Sequence, residues 1–119
     1  MGKIYTALGL MSGTSMDGID ASIISSDGDR EYSIIVDKYY KYDEKFRDNL
    51  VRIRSKILTN EDLTSFENEI ETLERELTFL HAKAAKDIVE KNDLNIDFIG
   101  FHGHTLFHDS KEKISKQIG

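Results

Sequence analysis

Hydrophobic and polar residues alternate with the two-residue period of β-strands in three segments near the start of the chain. The segments are residues 3–11, 19–25 and 31–42. In the second segment, Ile19, Ala21 and Ile23 fall on one face of the predicted strand, where they would enter a hydrophobic core. The short connections between the segments favour antiparallel pairing, so we predict a three-stranded meander.

A strong turn signal joins the second and third predicted strands. Asp27 and Gly28 form an Asp-Gly pair, which supplies the positive φ angles that a tight hairpin requires. In the strand that follows, Tyr32, Ile34 and Val36 stand at alternate positions and are predicted to share one face.

The hydrophobic period changes to that of an amphipathic helix after Asp43. In the first predicted helix, spacings of four, three and four residues connect Phe46, Leu50, Ile53 and Ile57. A second, longer helix is predicted to begin at Thr59 or Asn60. Its apolar stripe is formed by Phe66, Ile70, Leu73, Leu77, Leu80, Ala84 and Ile88. We expect this stripe to pack against the sheet, although it would also suit a coiled-coil homodimer.

A fourth strand is predicted at residues 96–101, where the sequence is almost continuously apolar. Such a run is typical of a strand that is buried on both faces. Because a long helical connection precedes it, this strand should pair in parallel with a strand of the meander through a right-handed crossover. The predicted fold class is therefore α/β, with three antiparallel strands, then helices, then a parallel strand.

Composition excludes several classes of protein. The 119 residues suffice for one modest hydrophobic core. The formal net charge of −6 argues against a general affinity for nucleic acid or for an anionic membrane surface, since both are polyanions. Hydrophobic residues make up 39% of the chain and no signal-peptide pattern opens it, so a membrane protein is not expected. The absence of cysteine excludes disulfides and permits a cytoplasmic location.

The segment from Gly9 to Asp20 is the first candidate site. Its glycines allow a ligand to approach the backbone, its hydroxyl groups can donate to an anion, and its carboxylates can hold Mg²⁺. This mixture suits a polyphosphate. The segment is not a Walker A loop, since Ile19 and Asp20 stand where Lys and Ser or Thr would follow the last glycine. On composition alone, an ordinary polar hairpin turn is the alternative.

A family resemblance rests on the run Ser12-Gly13-Thr14-Ser15-Met16-Asp17-Gly18-Ile19-Asp20. This run resembles the phosphate loop that opens the anhydro-N-acetylmuramic acid kinases, bacterial members of the sugar kinase, Hsp70 and actin superfamily. The resemblance implies a ribonuclease H-like (actin-like ATPase) half-domain. It also implies that Asp17 holds Mg²⁺ and that the phosphates of ATP bind at Gly13, Thr14, Ser15, Met16, Asp17, Gly18, Ile19 and Asp20.

A second candidate site follows the fourth predicted strand, at the edge where open α/β sheets bind their ligands. It is the segment 102–109, which contains three histidines. Kinases of the family look like Gly-x-His-Gly-Gln-Thr here, and residues 100–105 match except that His104 replaces Gln. The resemblance implies that His102, His104 and Thr105 contact the sugar substrate. The alternative is a metal hydrolase with His102 and His104 as ligands.

The resemblance further implies ATP-dependent conversion of 1,6-anhydro-N-acetylmuramic acid to N-acetylmuramic acid 6-phosphate, a step of peptidoglycan recycling in the cytoplasm. The base that activates water is expected beyond Gly119, so no catalytic residue is assigned in this chain. We expect residues 1–119 to be the N-terminal part of the first actin-like lobe, without the second lobe, and to be inactive alone. The open alternatives are a non-catalytic nucleotide-binding remnant, a homodimer, and a separate C-terminal half as partner.

Overall fold

A mixed sheet of four strands organises the described part of the chain. The structure is a computed structural model that describes residues 3–12, 16–29, 31–102, 104–109 and 114–118, with the backbone alone at 104–109 and 114–117. The strands of this sheet are β1 (Tyr5–Ser12), β2 (Gly18–Ser26), β3 (Tyr32–Lys41) and β4 (Phe98–His102). The helices between the third and fourth strands are α1 (Glu44–Lys56), α2 (Asn60–Ser65) and α3 (Glu67–Asn92).

The predicted meander and the parallel return of the fourth strand are both confirmed. The sheet order is β3-β2-β1-β4, in which β1 pairs antiparallel with β2, β2 antiparallel with β3, and β4 parallel with β1. Two hydrogen bonds fasten the start of β4 to β1, from the Thr6 amide to Asp97 Oδ2 (2.9 Å) and from the Asp97 amide to the Thr6 carbonyl (2.8 Å). The fold class is therefore α/β, with the order of elements that an actin-like half-domain requires.

The predicted Asp-Gly turn connects β2 and β3. Gly28 has a φ of +80°, a left-handed conformation that glycine adopts without a Cβ penalty. Asp27 Oδ1 accepts hydrogen bonds from the amides of Asp29 (2.9 Å) and Glu31 (3.1 Å). The carboxylate thus closes the turn in the way that Asp commonly does.

Carboxylates satisfy backbone amides at the starts of α1 and α2. Asp43 Oδ1 accepts a hydrogen bond from the Phe46 amide at 2.8 Å and caps α1. Asp62 Oδ2 accepts from the amides of Leu58 and Thr59, both at 2.9 Å, and these bonds hold the pKa of Asp62 below its usual value. The predicted helix starts at Asp43 and Thr59 are therefore confirmed.

The prediction of one long second helix is wrong, because the structure interrupts it at Phe66. This residue has a ψ of 20°, away from the helical value near −42°. The stripe stays in phase on both sides of the interruption, so the hydrophobic period cannot reveal it. The predicted packing of the stripe is confirmed, since the buried apolar residues of α3 are Ile70, Leu73, Leu77, Ala84 and Ile88.

The hydrophobic core lies between one face of the sheet and the helices α1 and α3. The meander contributes Leu8, Leu10, Ile19, Ala21 and Ile23, and α1 contributes Phe46, Leu50 and Ile53. The core face predicted for the second strand is thus confirmed. Full burial of each leucine or isoleucine side chain stabilises the fold by about 1.5–3 kcal/mol before the loss of chain entropy is counted.

Two predictions about the faces of strands are wrong. Tyr32 and Ile34 do not share a face with Val36, because a bulge in the pairing of β2 with β3 places Ile34 opposite Ile24, on the outer face of the sheet, and Val36 opposite the buried Ile23. Tyr32 and Ile34 are accordingly 73% and 61% exposed. The fourth strand is not buried on both faces either. Phe98 and Ile99 are 57% and 63% exposed, since β4 is the outermost strand of the sheet as far as the structure describes it.

The candidate segment after β4 contains a further strand that the sequence did not predict. This strand, β5 (His104–Asp109), pairs antiparallel with β6 (Ile114–Ile118) in a second sheet of two strands among the described residues. Ile118 is fully buried and belongs to the hydrophobic core, so the end of this hairpin packs against the core. Polar residues predominate from Lys111 onwards, so the hydrophobic pattern did not indicate β6.

Candidate functional site

The predicted phosphate loop runs between β1 and β2, and both of its ends contact Tyr42. Ser12, the last residue of β1, is buried, and its Oγ lies 2.7 Å from the hydroxyl oxygen of Tyr42. At the other end, the amide of Tyr42 donates to the carbonyl of Asp17 at 2.8 Å. The predicted phosphate contacts that lie outside the described residues are those of Gly13, Thr14 and Ser15.

Tyr42 lies in the short connection between β3 and α1, and its side chain is buried. Its ring packs edge to face with Phe46 of α1, with 4.7 Å between the ring centroids. Burial raises the pKa of the Tyr42 hydroxyl to about 12, although the hydrogen bond with Ser12 acts in the opposite direction. The hydroxyl is therefore neutral at physiological pH and can both donate and accept a hydrogen bond.

The carboxylate of Asp17 forms an ion pair with Arg47 of α1. Arg47 Nε lies 2.8 Å from Asp17 Oδ1, and the two side chains are 45% and 44% exposed. An ion pair with this exposure contributes at most about 1 kcal/mol to stability. An open depression of about 790 Å³ surrounds the pair. A metal ion could therefore reach Asp17 and displace Arg47 at low cost, and a phosphate group could likewise bind Arg47 in place of Asp17.

Packing and backbone conformation constrain three other residues of the predicted phosphate loop. Ile19 is 1% exposed and belongs to the core, so only its backbone can face a ligand. A Cβ atom on Gly18 would lie 2.8 Å from Tyr39 Cζ and 2.9 Å from Lys41 Cα, so only glycine fits there. Met16 has a φ of 60°, a left-handed conformation that is costly for a residue with a side chain. These constraints fix the shape of the loop where it enters β2.

Asp20 and His102 lie together on the outer face of the sheet. Met11 of β1 pairs with Asp20 of β2 on one side and with His102 of β4 on the other. These three residues line an open depression of about 450 Å³, and its other lining residues are Gly9, Leu10, Ser22, Gly100 and Phe101. The structure thus places a predicted phosphate ligand, Asp20, and a predicted sugar ligand, His102, on the same face of the sheet, with Met11 of β1 between them.

The side chains of His104 and Thr105 lie outside the described residues, so their sugar contacts stay a prediction. Only the backbone position of His104 is described, opposite Ile118 in the pairing of β5 with β6. Among the side chains that the structure describes, no three His, Cys, Asp or Glu residues come close enough together to hold a metal ion. Asp17 alone would still suit Mg²⁺, which binds one or two carboxylates together with phosphate oxygens and water.

The sequence did not identify Tyr42 and Arg47 as parts of this site. Tyr42 is 30 positions from Ser12, and Arg47 is 30 positions from Asp17. The pairing of β2 with β3 brings these distant residues together, because it places Lys41 opposite Gly18 and so puts the residues after β3 next to the loop. The Asp-Gly turn shows where that hairpin folds, but counting outwards from it does not give this register, because the bulge in the pairing of β2 with β3 shifts it.

Comparison with known proteins identifies the family. A family model for anhydro-N-acetylmuramic acid kinase matches residues 5–119. The chain belongs to the anhydro-N-acetylmuramic acid kinase family. It is similar to the anhydro-N-acetylmuramic acid kinase of Pelagibacter ubique, with 53% identity over 119 residues, and to those of Agrobacterium fabrum, with 35% over 122, and Rhizobium etli, with 38% over 122. Each comparison covers 100% of this chain but only 32% or 33% of the relative.

The chain therefore spans about a third of the length of the curated anhydro-N-acetylmuramic acid kinases that it matches. The family resemblance of the loop is confirmed, and membership of a kinase family implies a nucleotide substrate. None of the helices in the described residues has the length and hydrophobicity that crossing a membrane requires.

Proposed function

We propose that the chain forms the nucleotide phosphate-binding part of an anhydro-N-acetylmuramic acid kinase. The observation that carries this proposal is the loop between β1 and β2, which Tyr42 holds at both ends in a chain of this family. In the reaction, the γ-phosphoryl group of ATP is transferred to O6 of 1,6-anhydro-N-acetylmuramic acid. The bond between C1 and O6 breaks, and water adds to C1. The products are ADP and N-acetylmuramic acid 6-phosphate, within peptidoglycan recycling in the cytoplasm.

Phosphoryl transfer is catalysed mainly by positioning and by neutralisation of negative charge. The segment Gly13 to Asp20 supplies backbone amides and hydroxyl groups to the phosphates of ATP, and Asp17 holds Mg²⁺. When bound, Mg²⁺ neutralises charge on the β- and γ-phosphates. The exposure of Asp17 and its weak ion pair with Arg47 support this role, because neither burial nor a strong partner opposes metal binding.

The sugar is assigned to the side of the sheet on which His102 lies, together with His104 and Thr105. An imidazole can donate to and accept from sugar hydroxyl groups, and the depression that His102 lines together with Asp20 supports this assignment. Residues 1–119 then make up the N-terminal part of the first actin-like lobe. The base that activates water and the second lobe belong to parts of the family outside these residues, so the chain alone is inactive.

Calorimetric titration with Mg·ATP tests the nucleotide site. We expect the wild-type chain to bind Mg·ATP and Asp17→Ala to weaken binding by about tenfold, which corresponds to the loss of one charge-assisted contact. Asp48→Ala is the matched control, since Asp48 is an exposed carboxylate of α1 and its removal changes the net charge equally. No binding by the wild type, or equal effects of the two substitutions, would contradict the proposed site.

Turnover needs a separate measurement. In a chimera, this chain replaces the matching third of the Pelagibacter ubique relative, to which it is 53% identical. We expect the chimera to phosphorylate the anhydro sugar, and this chain alone to bind nucleotide without turnover. A folded chimera that binds Mg·ATP but lacks activity would instead support a non-catalytic nucleotide-binding protein.

A further inference from the structure

We propose that Tyr42 is a positioning residue of the phosphate loop, because it forms hydrogen bonds to the residues at both ends of that loop. Its hydroxyl contacts Ser12 Oγ at 2.7 Å, and its amide donates to the Asp17 carbonyl at 2.8 Å. A single residue therefore contacts both of the points between which the loop runs, in addition to the pairing of Ser12 with Ile19. The expected effect of Tyr42 on ATP binding rests on the proposed function, whereas its hydrogen bonds to the two ends of the loop do not.

Tyr42 can act in this way because it is itself held in place. Its ring packs against Phe46 with 4.7 Å between centroids, and both side chains are almost completely buried. The Phe46 amide is in turn bound by Asp43, the capping residue of α1. The tyrosine therefore moves only if the first turn of α1 moves with it. Its two hydrogen bonds come from different parts of the residue, one from the side chain and one from the backbone.

Two arginines of α1 add contacts to the end of the loop that enters β2. Arg47 Nε lies 2.8 Å from Asp17 Oδ1, and Arg54 Nη1 lies 3.7 Å from the sulfur of Met16. Both contacts are exposed, so they can yield to a ligand, whereas the contact of Tyr42 with Ser12 is buried. We call Tyr42 together with Arg47 and Arg54 the brace. Its buried member contacts the residues at both ends of the loop, and its exposed members can release the loop when a metal ion binds Asp17 or a phosphate binds an arginine.

A braced loop should bind phosphate more tightly, since a binding site that is formed only part of the time has a proportionally weaker apparent affinity. Removal of the hydroxyl by Tyr42→Phe keeps the ring and the backbone hydrogen bond but deletes the contact with Ser12. We expect the dissociation constant for Mg·ATP to rise about fivefold, in the range that one neutral hydrogen bond supports.

Hydrogen exchange followed by mass spectrometry tests the brace without nucleotide. In Tyr42→Phe, peptides that cover residues 12–17 and the residue 42 amide should exchange faster than in the wild type, while peptides of α3 keep their rates. Tyr32→Phe is the matched control, because Tyr32 carries the same hydroxyl but is 73% exposed on β3. Mg·ATP titration of the same variants then measures the effect on affinity.

The outcomes separate the brace from the proposed function. Faster exchange at residues 12–17 with a weaker Mg·ATP affinity supports both. If the wild type does not bind Mg·ATP, the nucleotide proposal fails while the exchange rates still decide the brace. Exchange and affinity in Tyr42→Phe that equal those of Tyr32→Phe would overturn the inference. Should Tyr42→Phe fail to fold by circular dichroism, Ser12→Ala deletes the same contact from the other side and is judged by the same exchange rates.

Discussion

Replacement of His81 by leucine should remove a pH-dependent loss of stability. His81 lies within α3 and is 3% exposed. Its Nδ1 lies 2.8 Å from the carbonyl of Leu77, and its ring packs edge to face with Phe101 of β4 at 4.4 Å. Because a carbonyl can only accept, Nδ1 carries the proton. The other nitrogen, Nε2, is buried and has no hydrogen-bond partner among the residues that the structure describes.

The magnitude follows from the protonation of this buried ring. Burial lowers the pKa of His81, and the hydrogen bond to the Leu77 carbonyl opposes that shift only in part. The unfolded chain therefore binds a proton near the ordinary histidine pKa of about 6.5, at a pH where the folded chain does not. The free energy of unfolding should fall as the pH drops below about 6.5, by up to about 1.4 kcal/mol per pH unit, until the lower folded pKa is reached.

Leucine suits the site because it continues the apolar stripe of α3 and carries no polar atom. The Leu77 carbonyl keeps its helical partner, since the amide of residue 81 donates to it whichever side chain is present. Loss of the buried, unpaired nitrogen should raise the free energy of unfolding at pH 7.5 by up to about 1 kcal/mol.

Urea unfolding at pH 7.5 and pH 5.5 measures both effects. We expect the wild type to lose more than His81→Leu between these pH values, by at most about 1.4 kcal/mol. His102→Gln serves as the control, because it also removes one histidine, and His102 is exposed. Equal losses in the wild type and in His81→Leu would refute the reasoning that His81 is buried in its neutral form.

Two further predictions concern contacts of β3. Gly18→Ala should lower the free energy of unfolding in urea by about 1–3 kcal/mol, because the new Cβ would lie 2.9 Å from Lys41 Cα. Gly9→Ala is the control: no atom would lie nearer than 4.0 Å to its Cβ, so the free energy of unfolding should change by less than about 0.5 kcal/mol. Similar losses for the two alanines would contradict the steric argument. Asp87→Asn should lower the Tm measured by circular dichroism, because Asp87 Oδ2 accepts from the Tyr40 hydroxyl (2.6 Å) and Lys38 Nζ (3.1 Å). The hydrogen bond from Tyr40, followed by those from the lysines, holds the pKa of Asp87 well below its usual range. The difference in Tm between the wild type and Asp87→Asn should therefore shrink progressively below pH 4. A difference in Tm that grows on acidification would count against this assignment.

The elements that build the core could be predicted because each buries a face with a regular period. Phe46 and Leu50 follow the helical spacing, and Ile19 and Ile23 follow the strand spacing. The errors arose where pairing between elements overrides the local period. The bulge that turns Ile34 outwards depends on how β3 pairs with β2, and the exposure of β4 depends on its position in the sheet order.

The candidate site divides in the same way between local and non-local features. The phosphate loop could be recognised from one continuous run of residues. Tyr42 and Arg47 could not, because only the hairpin register brings them to that loop from 30 positions away. His81 was missed for a different reason: a single polar residue inside an apolar stripe does not change the period, so its burial appears only when the packing of α3 against β4 is known.

The two carboxylates of the loop face different surfaces in this fold. Asp17 directly precedes β2 and Asp20 lies three positions further along, and successive side chains of a strand point to opposite faces. Asp17 accordingly contacts Arg47, whereas Asp20 shares a depression with His102. A metal ion held with the phosphates would therefore use Asp17 without Asp20.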